Sequence, residues 1–359
     1  MHPLFRSLAI ALAAGLATAA AVRLAMPQPV SRATKSSVPM QAALEAGRGR
    51  QARRLGEITA AGWKDILWRT AGEVSNDRVA AVAGGVVFFA LMAIFPAIAA
   101  LVSLAGLFAD RGSIAGDIAQ LVGFLPDGLR TLILDEVDRH VAQDDAALGL
   151  TLAVGLGFAL WSANAGTKAV IEALNVAYGE REKRSFLWLN LISLTLTFGA
   201  LGAALAALWL VVAIPALLEA LGSEPLRQAL VLGRWPVIAA AATLAFAVLY
   251  RYAPSRRPPQ WRWVWLGAFA AAAGWLAGSA LFSLYISRFS DFDATYGPLG
   301  GLIAGMLWLW VSVIALLMGA ELNAETERQT LKDTTEGVPR PLGTRGAVAA
   351  DTVGASTAG

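Results

Sequence analysis

The sequence predicts an all-α fold, a polytopic transmembrane bundle with six core helices, and three observations carry that expectation. Apolar residues make up 57% of the 359-residue chain, charged residues only 15%, and mean hydropathy is +0.57. A soluble domain carries about 25% charged residues, so a surface this poor in charge calls for lipid around it. The apolar residues fall in runs long enough to cross a bilayer, which takes about 20 residues for a hydrocarbon core about 30 Å thick. Finally, cations crowd every second connector between those runs and are sparse in the others.

The first element is an apolar, Ala-rich run at 7–22 within residues 1–26. It reads either as a cleaved leader or as a signal anchor that would add a seventh helix. Arg23, Arg32 and Lys35 make its following flank more basic than the preceding one, the sense of an anchor with its N-terminus outside. Residues 27–63 form a basic linker, 64–327 the six-helix membrane domain, and 328–359 a polar tail rich in Gly, Thr and Ala, expected to be disordered. Within the domain the spans are 79–108, 148–163, 186–218, 236–252, 263–285 and 298–320. Helix is the form expected, because an unpaired strand in lipid leaves its backbone groups unsatisfied. Pro96 lies inside the first span and removes a backbone donor, which predicts a kink there.

The charges set the expected orientation. Before the first span stand Arg48, Arg50, Arg53, Arg54, Lys64, Arg69 and Arg78. Lys168, Arg181, Lys183 and Arg184 lie between spans two and three, Arg251, Arg256, Arg257 and Arg262 between four and five, and Arg328, Lys332, Arg340 and Arg345 in the tail. The alternate connectors hold Arg111, Arg130, Arg139, Arg227, Arg234 and Arg288, so 19 cations face 6. Positive loops stay inside, which makes both ends of the six-helix body cytoplasmic. Trp261, Trp263 and Trp265 at the start of span five, with Trp161 and Trp188, suit the headgroup level as interfacial anchors.

Several connectors have a pattern of their own. In 110–148, Leu129, Leu132, Ile133, Val137 and Val141 recur at helical spacing opposite Asp135, Glu136 and Asp138, predicting an external surface hairpin broken near Pro126. After span two, Val170, Ile171, Leu174, Val176 and Ala177 form an apolar stripe beside Lys168 and Glu172, predicting an interfacial helix capped at Gly179. Gly274 with Gly278, and Gly301 with Gly305, are small pairs suited to close helix contacts. Glu321 closes the last helix, either exposed at the headgroups or paired inside the bundle with Arg251 or another basic residue of the inner mouth.

Composition also excludes chemistry. The chain has no cysteine, hence no disulfide, thiolate ligand or cysteine nucleophile, and its two histidines, His2 and His140, cannot build a multi-histidine metal site. No series of carboxylates runs through the spans, which weighs against a dedicated proton- or sodium-coupled pump. No metal and no cofactor is expected.

The segments WSANAGTKAVIEALNVAYG, LYRYAP and SLYISRFSDFDATYGPLGGLIAGMLWLW, followed by GAELN, resemble the YihY/virulence factor BrkB family of bacterial inner-membrane proteins. The likeness spans about residues 64–327, in order, and includes Pro96, Asn175, Tyr178, Gly179, Tyr252, Pro254, Tyr285, Tyr296, Gly297, Gly319, Glu321 and Asn323. It implies a six-helix integral inner-membrane protein with both ends of the domain inside. The family has carried a ribonuclease label, to which this sequence lends little, its acidic residues lying mostly on the expected external face or at helix ends. The chain is therefore expected not to be an enzyme, and nucleic acid is not an expected partner, since topology and anionic lipid account for the basic face.

The function expected is transporter-like handling of a lipid or envelope-related amphiphile, with helix breaks at Pro96, Gly297 and Pro298. Candidate cavity positions are Asn175, Tyr178, Tyr252, Tyr296, Glu321 and Asn323. Arg251, Arg256, Arg257 and Arg262 are the candidate contacts for anionic headgroups. The alternative is a non-transporting scaffold or regulator of envelope assembly, docking envelope proteins on the acidic hairpin and the basic linker. A polar cavity bounded by Tyr252, Tyr296, Asn175 and Glu321 would favour the first, and a dry, fully packed bundle the second.

Overall fold

The computed structural model describes residues 45, 47–92, 145–221, 224–289 and 299–356. Their regular structure is helical, with no β-strand among the described residues: α1 (Ala60–Asn76), α2 (Val79–Met92), α3 (Asp145–Tyr178), α4 (Phe186–Leu221), α5 (Glu224–Tyr252), α6 (Trp261–Phe289), α7 (Gly300–Glu327) and a one-turn α8 (Val348–Asp351). Four of them, α4 to α7, contain stretches long and apolar enough to cross a membrane, and α1 with α2 forms a bent pair that makes a fifth if counted as one span. Helix α3 encloses the run expected as span two. Pro96, the expected hairpin with His140, the N-terminal run, Tyr296, Gly297 and Pro298 lie outside the described residues.

Local sequence explains where these helices start, bend and stop. The Thr59 hydroxyl accepts a hydrogen bond from the Gly62 N–H (3.2 Å), satisfying a donor left open at the start of α1. Between α1 and α2 the chain turns by 57°, with Arg78 in the left-handed region at φ +51°. At the start of the α3–α4 connector, α3 stops where Gly179 adopts φ +69°. The Glu180 N–H reaches the Asn175 carbonyl (2.8 Å) and the Gly179 N–H the Val176 carbonyl (2.9 Å), the paired bonds of a Schellman cap. The expected cap is therefore present, but the helix it closes is different. Residues 164–178 continue α3 without a break, and Ile171, Leu174 and Ala177 enter the protein core instead of lying on a membrane surface.

Helix α7 is central. It packs against α6, α1 and α3, while α6 also packs on α5 and α4 on α3. The share of each apolar span buried inside the protein is 28% for α7 and 11–17% for the spans of α4, α5 and α6, so the flanking helices direct most of their apolar surface outward. The closest approach is between Gly267 of α6 and Gly319 of α7. A Cβ on Gly267 would lie 2.1 Å from the Gly319 carbonyl oxygen, and one on Gly319 would lie 2.5 Å from the Gly267 oxygen. Small residues let helix backbones meet in this way. Of the expected pair Gly274 and Gly278, a Cβ on Gly278 would lie 2.8 Å from Val311, whereas one on Gly274 would meet Ala315 at an ordinary 3.9 Å. Farther along the same interface, indole N–H groups find partners across the helices, Trp275 on Ser312 and Trp308 on Ser279 (both 3.1 Å).

The tail departs from expectation. Residues 328–356 are not a disordered extension but are laid across one end of the bundle. The Leu331 N–H bonds to the Arg50 carbonyl (2.8 Å), the Thr330 hydroxyl to the Ala52 carbonyl (2.6 Å), and the Gln260 N–H to the Thr334 carbonyl (2.8 Å). Gln329, Thr330, Thr334, Thr335 and Arg345 are buried. Polar composition signals disorder only when a segment has nothing to fold against, and here the linker, α1 and the α5–α6 connector supply the missing partners.

Candidate functional site

The four basic segments meet at one end of the molecule. Arg69 of α1 donates to Glu325 of α7 (2.8 Å) and to Gln329 (2.8 Å). The Ser255 N–H, after α5, donates to the Asn175 side-chain oxygen of α3 (2.7 Å), and Arg184, before α4, to the Ala253 carbonyl (2.8 Å). Linker, α3–α4 connector, α5–α6 connector and tail thus form a polar cap over the ends of the helices. Arg48 adds a two-pronged bond to Asp65 (2.8 Å to each oxygen).

The cap borders an open cavity of about 420 Å³ between the start of α4, the end of α5 and the connector that follows it. Lys183, Arg184, Arg251, Arg256 and Arg257 line it together with Trp188, Ile192 and Tyr252, and among the described residues no carboxylate belongs to the lining. It lies where the apolar spans of α4 (Phe186–Ala203) and α5 (Trp235–Tyr252) have their adjacent ends. Trp188 and Tyr252 are 55% and 46% exposed, so the cavity borders an outward apolar surface on one side and the polar cap on the other.

Acidic residues hold the guanidinium groups from behind. Arg256 pairs with Glu327 (2.6 Å), both side chains being almost wholly buried, and its guanidinium lies over the Tyr178 ring, 4.8 Å from the centroid. Burial alone would lower the Arg256 pKa, but the Glu327 carboxylate outweighs it and holds the group above its ordinary value. Arg251 pairs with Glu336 of the tail (2.6 Å), donates to the Pro259 carbonyl and lies 4.7 Å from the Trp261 ring centroid. Arg184 pairs with Glu182 (2.6 Å). Burial pushes the Glu182 carboxyl up, yet its hydrogen bonds and the charge of Arg184 bring it below the usual range. Among the arginines that line the cavity, Arg251 Nε, Arg256 Nη1 and Arg257 Nη1 are buried and have no hydrogen-bond partner among the described residues; Arg50 and Arg328, outside the lining, also keep such donors.

The expected site residues divide into two groups. Tyr252, Arg251, Arg256 and Arg257 line the cavity. Arg262 does not, and bonds instead to Gln260 (2.7 Å from Nε). Asn175, Tyr178, Glu321 and Asn323 are buried framework. Asn323 accepts from the Gly267 N–H (2.8 Å) and donates to the Val264 carbonyl (3.1 Å), tying α7 to α6 at their tightest crossing. Tyr178 stands behind Arg256, its phenol pKa raised by burial. Glu321 is fully buried rather than exposed at the headgroups, and the carboxylate on Arg251 is Glu336. Trp263 is likewise buried, against Ile66, while Trp261 and Trp265 face outward. Lys183, Arg184, Trp188 and Ser255 appeared in the sequence only as topology markers or not at all. The available signal was connectivity: the connector before α4 and the one after α5 belong to the same side and must meet.

A helical bundle with apolar outer faces and a polar cap is an integral membrane protein. The chain belongs to the virulence factor BrkB family, whose profile matches residues 70–341, and the resemblance drawn from its motifs is borne out. It is 34% identical over 251 residues to YfkH of Bacillus subtilis strain 168, which is named for a likeness to ribonucleases, covering 66% of this chain and 86% of that protein. It is 26% identical over 266 residues to a UPF0761 membrane protein of Aliivibrio fischeri strain MJ11 (73% and 83% covered). A UPF0761 membrane protein of Ralstonia nicotianae is 28% identical over 264 residues (71% and 56%). No solved structure matches the chain. Among the described residues, no group of three or more His, Cys, Asp or Glu could hold a metal ion.

Proposed function

We propose that this protein is a six-span, transporter-like protein of the bacterial inner membrane that handles a lipid or envelope-related amphiphile, with the polar cap in the cytoplasm. The observation that supports it best is the cavity itself, five cationic residues with no lining carboxylate among the described residues, beside exposed aromatic rings at the ends of two apolar spans. Such a boundary suits a molecule with an anionic head and an apolar body, because the head gains charge-assisted hydrogen bonds while the body stays against the spans. The excess of cations at this end agrees with a cytoplasmic placement. In this proposal the chain moves or orients its ligand and carries out no bond-breaking chemistry on it, so it is not an enzyme.

Reconstitution into liposomes with fluorescent lipids on one leaflet tests the proposal. Faster exchange of anionic lipids between leaflets than in protein-free liposomes is the expected result. Folded protein that moves neither lipids nor small amphiphilic solutes would count against it. The ordered cap gives some weight to a second role, a scaffold or regulator of envelope assembly, since linker and tail together present a built surface rather than loose chains. Crosslinking from Arg54 that captures reproducible envelope partners, with lipid distribution unaltered in a deletion strain, would favour that role.

A further inference from the structure

We infer that the cavity is a phosphoryl site, taking the phosphate of a membrane lipid head, and that Glu336 of the tail is the counter-ion this phosphate displaces. The inference rests on the amphiphile-handling function proposed above and names the chemistry of the head. Arg251 and Arg256 have side chains at least nine-tenths buried, both line the cavity, and each keeps a buried N–H without an acceptor. Arg257 adds a third, with Asp333 no nearer than 4.0 Å. Buried donors without acceptors are costly, and three of them on arginines that line one cavity suit an anion with several oxygens. A phosphoryl group offers them in the geometry that guanidinium forks match, whereas a carboxylate has only two.

Size and setting point to a lipid head rather than a free ion. About 420 Å³ falls in the range of sites for organic ligands. Trp188, Ile192 and Tyr252 line the side toward the spans, where acyl chains would continue. The tail supplies the exchange. Glu336 is 60% exposed yet bonds to the buried Arg251 guanidinium, so its carboxylate can swing into water when a phosphate takes its place, unlike the buried Glu327 behind Arg256. Backbone bonds from Glu336 to Pro258 (2.9 Å) and from Arg257 to Gly346 (3.0 Å) keep the tail in register over the cavity.

The test is lipid binding by the full chain in detergent micelles, read by native mass spectrometry, with phosphatidate, a fatty acid and inorganic phosphate as probes. Phosphatidate should bind tighter than fatty acid. Arg257→Ala, which removes a partly exposed arginine, should weaken phosphatidate about tenfold. Glu336→Gln should tighten it about threefold by removing the competitor. Equal binding of fatty acid and phosphatidate, or phosphatidate affinity unmoved in both variants with melting temperatures unchanged, would overturn the inference. Competition by inorganic phosphate at the same affinity would overturn the lipid assignment in favour of a soluble ligand. The two proposals fail separately: binding with the expected variant response but without lipid exchange in liposomes removes only the transport function, and exchange without phosphate preference removes only the phosphoryl site.

Discussion

The two ends of the described helices are built on opposite principles. At the polar end, α1, α3, α5, α6 and α7 converge on buried ion pairs, side-chain amides and a glycine-on-glycine crossing, and the tail seals them. Along the apolar spans the helices turn most of their surface outward, and the side-chain bonds between them are mostly neutral, such as Thr167 with Thr197 (2.7 Å), with Lys168 on Asn190 (2.7 Å) a charged one. In lipid, apolar surface has nothing to gain by leaving its surroundings, so association there depends on close packing and a few hydrogen bonds. Where water reaches the chain, burial and charge pairing resume their usual strength. The comparison teaches that specificity of fold and the candidate binding chemistry occupy the same region, while the spans supply address and anchorage.

The largest difference between the regions should come from breaking a buried pair. Glu327→Ala leaves Arg256 buried without its carboxylate and should cost about 3–5 kcal/mol, seen as a large fall in the thermal midpoint in micelles. Removing the exposed Arg262 should leave that midpoint unchanged. Next comes the crossing of α6 and α7. Gly267→Ala forces a Cβ against backbone and should cost about 1–3 kcal/mol. Gly199→Ala on the exposed face of α4, where nothing lies within 4 Å, should be neutral or slightly stabilising. If both glycine variants behaved alike, the contrast between tight end and open spans would be wrong.

What the sequence revealed follows the same division. Apolar runs and alternating charge identified the long helices because lipid imposes a length and a charge bias that any single chain must display. Gly179 was legible because a left-handed cap is local in sequence. The partners of Arg251 and Arg256 were not, since Glu336 and Glu327 lie 85 and 71 residues away. From charge alone, the four arginines in and beside the α5–α6 connector are equivalent. The fold separates them into a buried structural pair, a tail-bound group, a cavity wall and an exposed end. Gly267 with Ala271, and Ala315 with Gly319, are four-residue small pairs, but α6 holds several such pairs among its alanines, and the rotation of α6 against α7 decides which one forms the contact. The tail misled for a related reason, its order being supplied by the linker and connector rather than by its own composition.

The most direct measurement places a photo-crosslinking residue at Tyr252, on the cavity wall, or at Phe269, exposed on the α6 span, in full-length protein in phosphatidate-containing liposomes. The expected result is a phosphatidate adduct at position 252 that excess unlabelled phosphatidate removes and Glu336→Gln increases, with only weak, non-saturable labelling at 269. Equal, non-saturable labelling at both positions would contradict the account, because lipid would then meet the cavity no differently from the rest of the bundle.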